Sequence, residues 1–147
     1  MRSYIGGLAV VALACGLSTG QIRAQSAGCL MPEAGPGGLS IMFDQINAVR
    51  IGSGLSSLKI SAPLSIAAQL YACKLASPET SGIAAPSRAA AYVEMRRAGC
   101  NGTAMEDAVL VGPPDGLKAF ELLDTAPDLR RTYVSTRMRE IGLGVAL

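Results

Sequence analysis

The sequence predicts a single α+β domain built as a small layered sandwich. Three observations carry this reading. Four stretches place apolar residues three and four positions apart, as amphipathic helices do. Two short runs, MEDAVLVG and EIGLGVAL, have strand character and do not alternate with the helices as parallel α/β units would. Of 147 residues, about 120 follow a leader, enough for one core.

That leader is the first element. Arg2, an apolar run from Ile5 to Leu17, and small and polar residues up to Ala24 have the organisation of a secretory signal, too short to cross a bilayer. Residues 1–24 are read as a signal peptide, cut after Ala24 or Ser26, on a secreted or periplasmic chain. Ala14-Cys15-Gly16 offers a second reading, the end of a lipoprotein signal with Cys15 acylated at a membrane surface. Residues 25–38 are a linker, rich in turn formers over PEAGPGG.

The domain proper is expected over 39–147. Leu39, Met42, Phe43, Ile46 and Val49 form one face of a first helix, with Asp44, Gln45, Asn47 and Arg50 toward its polar side and Gly52 at its end. Ser61 and Pro63 open a second helix whose stripe is Ile66, Ala67, Leu70, Cys73 and Leu75. The segment from Ser77 to Pro86 is loop by composition. Ser87 caps a third helix, which Gly99 closes from the left-handed region. A buried strand follows from Met105, bounded by a Gly-Pro-Pro turn. The fourth helix, Asp115 to Leu123, presents Leu117, Phe120 and Leu123, and TAPDLRR, Thr125 to Arg131, is the charged loop at its end. In the last strand Ile141, Leu143 and Val145 share one face.

The side-chain inventory restricts the chemistry. The chain has no histidine, which removes every Ser-His and Cys-His arrangement. Losing Arg2 and Arg23 with the leader takes the 13 basic residues to 11, against 11 acidic ones, so no nucleic acid is expected as a partner. Cysteines of an exported chain are disulfide candidates first. With Cys15 gone or acylated, Cys29, Cys73 and Cys100 remain and cannot all pair; without CxxC or histidine, no metal or other cofactor is expected. Ser56 to Lys59 matches S-x-x-K without its companion motifs. Glu106 and Asp107 are adjacent on a strand, so they point to opposite faces and do not share a proton. Arg130 and Arg131 are a solvated pair or an anion contact. Tyr71 and Tyr92 are read as core, Cys100 as a possible free thiol, and Asn101-Gly102-Thr103 as a glycosylation triplet.

These pieces together resemble the CAP superfamily, the domain of cysteine-rich secretory and plant pathogenesis-related proteins, and especially its short exported bacterial members. The resemblance rests on Asn47 and Arg50 followed by Gly54, Leu55 and Leu58, on LSIAAQLYACKLA as the second helix, on MRRAGC, and on the strands MEDAVLVG and EIGLGVAL. It implies a three-layer α-β-α sandwich with about four helices and a small antiparallel sheet, its last strand missing after Leu147 and a sheet edge exposed. It also implies a cleft whose histidines are lost. In APDLR, Leu129 stands in a histidine's place and Arg130 is retained; Glu106 remains of the acidic pattern, Asp107 replaces an asparagine, and Leu123 stands where a tryptophan is usual. Glu106, Asp107, Leu129 and Arg130 are therefore the expected remnant cleft. Relatives suggest a Cys29–Cys73 disulfide, with Cys73–Cys100 as the other choice. The implied function is an exported, non-catalytic binding or structural module for lipid, cell-wall material or another protein, with no transmembrane span. The alternatives are a hydrolase using the cleft around Glu106 and Arg130, or a decayed relative.

Overall fold

A computed structural model describes residues 9–16, 35–77, 87–100, 104–111 and 115–146. In chain order the elements are β1 (Ala9–Cys15), α1 (Gly35–Gly52), β2 (Lys59–Ile60), α2 (Ala62–Ala76), α3 (Arg88–Arg97), β3 (Met105–Val111), α4 (Gly116–Thr125), α5 (Pro127–Val134) and β4 (Glu140–Ala146). The strands form one sheet in the order β2-β4-β1-β3. β1 runs antiparallel to both β3 and β4, over seven residue pairs on each side, and β2 adds two parallel pairs to β4. The fold is α+β as expected, with five helices among the described residues; the sheet is mixed rather than antiparallel.

Alternation along the strands sends side chains into two cores. Val10, Ala12 and Ala14 of β1, Ala108 and Leu110 of β3, and Ile141, Leu143 and Val145 of β4 pack with Met42 and Ile46 of α1, Phe120 and Leu123 of α4 and Tyr133 of α5. On the other face Val11, Leu13 and Cys15 meet Leu64, Ala67, Ala68 and Tyr71 of α2 and Ala91 and Met95 of α3. Helices thus cover both faces, giving three layers.

The helix starts follow local chemistry. The side chains of Ser61, Ser87 and Asp115 accept hydrogen bonds from the amides of Leu64, Ala90 and Lys118. Gly99, at φ 86°, ends α3 in the left-handed region, and the Cys100 amide returns to the carbonyl of Met95 at 3.0 Å.

In the uncut chain the apolar run read as a leader supplies β1, the strand between β3 and β4, whose side chains from Val10 to Cys15 are 0–4 % exposed. A run apolar on every residue suits a strand buried on both faces as well as it suits a signal segment. Other expectations are corrected. Cys15 is disulfide-bonded to Cys100, which leaves its sulfur no valence for an acyl chain and rules out both a free Cys100 thiol and the Cys73–Cys100 pair in this form. Cys73 is itself disulfide-bonded, but the expected partner Cys29 lies outside the described residues. So do the cleavage positions, 78–86, the Asn101 triplet and the Gly-Pro-Pro turn. α1 begins at Gly35, inside the expected linker, because Pro36 fits a first helical turn where its missing amide is no loss. TAPDLRR is largely helical: Pro127 starts α5, Asp128 sits in its first turn, and Arg131 pairs with Asp128 at 2.9 Å. Leu117 is 49 % exposed, and α4 buries Gly116, Ala119, Phe120 and Leu123 instead. The deep face of α2 keeps Ala67 and Cys73 of the expected stripe, and Leu64, Ala68, Tyr71 and Ala72 take the place of Ile66, Leu70 and Leu75.

Candidate functional site

The adjacent carboxylates lie on β3, at an edge of the sheet. Register places Glu106 beside Ala14 and Asp107 beside Leu13, so the two side chains start on opposite faces, as strand geometry requires. Arg88, the first residue of α3, reaches both around the edge: its Nη2 is 3.4 Å from Glu106 Oε2 and its Nε 3.5 Å from Asp107 Oδ1. The Arg88 guanidinium also lies 5.9 Å from the centre of the Tyr92 ring, a cation–π contact.

Two tyrosines hold this arrangement. The Tyr92 hydroxyl donates to the Met105 carbonyl at 2.7 Å, tying α3 to β3 one residue before Glu106. The Tyr71 hydroxyl donates to the Ser87 carbonyl at 3.1 Å and accepts from the Ser87 amide at 3.0 Å, fixing the start of α3 against α2. Tyr71 is fully buried and Tyr92 half-buried, which agrees with their reading as core. Burial pushes both phenols up, with Asp107 adding to each shift.

Asp107 is the more unusual of the two acids. Its side chain is 12 % exposed, and its Oδ1 is buried without a hydrogen bond. Burial raises its pKa above the ordinary 3.8, Arg88 lowers it in part, and the like charge of Glu106 raises it again. A carboxyl so placed holds a proton more readily than a solvated one, beside a cation that can accompany either state.

The other two expected residues belong to a different network, at the α4–α5 corner. Arg130 Nη1 pairs with Asp124 Oδ1 at 3.0 Å, and the same oxygen accepts from the Tyr133 hydroxyl. Leu129 packs against the core of that face. Burial raises the Tyr133 phenol, and the hydrogen bond to Asp124 raises it further. The two networks meet where α5 lies on β3: Thr132 Oγ1, fully buried, donates to the Asp107 carbonyl at 3.2 Å. The described contacts therefore group Glu106 with Asp107 and leave Arg130 paired with Asp124. Arg88 is the member of the site that sequence reasoning missed; its only sequence mark is its place after the capping Ser87.

Arg50, placed by its helical pattern on a polar face, is 1 % exposed. Its Nε donates to the Ser56 carbonyl at 2.7 Å, Nη1 to those of Tyr133 and Ser135, and Nη2 to Met138 at 3.4 Å. Nearby, Asn47 exchanges two hydrogen bonds with the Leu58 backbone. Both residues that carried the family resemblance in α1 thus pin loops, and burial followed by the charge of Arg139 lowers the Arg50 pKa.

No family model, curated protein or solved structure matches this chain. Among the described residues, no helix is long and apolar enough to cross a membrane.

Proposed function

We propose that the chain is an exported, non-catalytic binding or structural module of CAP type, acting at the cell envelope or outside it, in which the family's histidine metal site has been replaced by structural pairing. The observation that supports this most directly is the engagement of the retained residues. Arg130 is held by Asp124, Leu129 packs against a core, and Glu106 shares Arg88 with Asp107. Cys73, which lies beyond the leader, is disulfide-bonded, and this fits an oxidising compartment. Lipid, cell-wall material or another protein remains the expected class of ligand.

Equilibrium dialysis of the purified chain against zinc tests the lost-site reading. No binding is expected up to about 100 μM, since the chain supplies no imidazole; stoichiometric binding at micromolar concentration, abolished by Glu106→Gln, would defeat it. A hydrolytic reading draws on the raised pKa of Asp107. It requires an activity lost in both Asp107→Asn and Glu106→Gln while the fold survives.

A further inference from the structure

We propose that the channel between β3 and β4 is a strand-acceptor site for an extended, uncharged segment of another polypeptide, a site that β1 fills in the uncut chain. The inference rests on the reading of residues 1–24 as a removable leader, since their loss takes β1 away.

The geometry of the sheet carries the argument. β3 and β4 are held together through β1, which pairs with each over seven residues. Both are antiparallel to β1 and therefore parallel to one another. Without β1 they face each other across about two strand spacings, roughly 9–10 Å, each with a row of unpaired amides and carbonyls. Direct closure means moving one strand by a full spacing. That shift is opposed by the packing on both faces: α2 lies tightly on β4, while α3 and α5 hold β3 through Tyr92 and Thr132. An emptied channel of this shape favours a replacement strand, since main-chain pairing supplies affinity and alternate side chains supply selection.

β1 also defines the chemistry of the replacement. The occupant runs antiparallel to both neighbours and stays uncharged over seven residues, because both its faces are buried. Toward α1, α4 and α5 it offers mostly small residues, as Ala12 and Ala14 do beside Val10. Toward α2 and α3 it offers branched ones, as Val11 and Leu13 do, and a thiol at the position of Cys15 meets Cys100.

The test uses the full chain with a protease recognition sequence inserted after Ala24. The folded protein is cut, the N-terminal fragment is stripped in denaturant and reductant, and the remainder is refolded under oxidising conditions. Three samples are compared: a lysine-flanked AVVALAC peptide, the same peptide carrying Leu13→Asp, and no peptide. The first is expected to give a cooperative thermal transition and a one-to-one adduct through Cys100, with at least tenfold less adduct in the second and no cooperative transition in the other two. Cooperative refolding without peptide, as a monomer with a closed channel or as a dimer filled by a second copy, overturns the proposal. Equal coupling of both peptides, or failure of the first to restore folding, also overturns it. The N-terminal mass of the protein from the cells that make it judges the leader separately: retention of residues 9–15 defeats that reading and leaves the peptide result standing.

Discussion

At the scale of single residues, Arg50 and Asp107 show buried charge resolved in opposite ways. Arg50 keeps its charge and is satisfied by carbonyls from the loop after α1 and from the end of α5 to the start of β4. Arg50→Met preserves most of the volume and leaves those carbonyls without their donor. With about 1.5–3 kcal/mol for each hydrogen bond to a charged group, and some rehydration, a loss of at least about 3 kcal/mol is expected in urea unfolding. A loss below about 1 kcal/mol would show that water replaces the guanidinium. Asp107 resolves its burial by binding protons more readily in the folded chain than in the unfolded one. A raised folded pKa means that stability falls as pH rises from 3.8 through the folded value, and that the full penalty stands above it. Asp107→Asn removes this titration. Thermal melts from pH 3 to pH 7 should show a shallower fall for the variant, and a neutral-pH stability no lower than the parent's, because the Arg88 partner it loses is 57 % exposed and contributes little. A steeper fall in the variant would reverse the assignment.

At the scale of elements, α2 lies on β4 too closely to admit a side chain between them. A Cβ at Gly142 would lie 2.1 Å from the backbone of Leu64, and one at Gly144 2.3 Å from the backbone of Gln69. The small residues Ala67, Ala68 and Ala72 on the facing side of α2 belong to the same approach. Gln69 completes it: its side-chain amide donates to the Val145 carbonyl at 2.7 Å and accepts from the Val145 amide at 3.0 Å. Gly144→Ala forces the helix off the strand and should cost about 3 kcal/mol, the upper part of the range for overpacking, because backbone and not a flexible side chain must move. A melting temperature within about 2 °C of the parent would show that the layer yields freely. Elements governed by local chemistry were legible in sequence: the caps at Ser61 and Ser87, the stop at Gly99, and the one-sided Ile141, Leu143 and Val145. Elements decided by distant partners were not. The run containing β1 was read as a signal segment, and its strand form in the uncut chain depends on pairing with β3 and β4, which no local pattern reveals. Pro127 was compatible with a turn or a helix start. The deep face of α2 moved onto its alanines because Gly142 and Gly144 lie beneath them.

At the scale of the whole molecule, the candidate site was half legible: the position of Glu106 and Asp107 on a strand followed from the sequence, but Arg88 reaches them only because α3 lies over the β3 edge. The same tertiary arrangement joins Cys15 to Cys100 across 85 residues of sequence and locks the strand next to β3 to the end of α3. Closing a loop of that length restricts the unfolded chain by about 4.5 kcal/mol in the chain-entropy model. A Cys15→Ala, Cys100→Ala double variant avoids a buried lone thiol and keeps both sites apolar, so its change in stability reports mainly the crosslink and a small loss of packed volume. Urea unfolding of the full chain without reductant is expected to show a loss of about 4 kcal/mol and a steeper denaturant dependence, because the uncrosslinked chain expands further when it unfolds. An unchanged midpoint and slope would mean that the unfolded ensemble already keeps β1 near α3, and that the strand is held by its two ladders rather than by its sulfur.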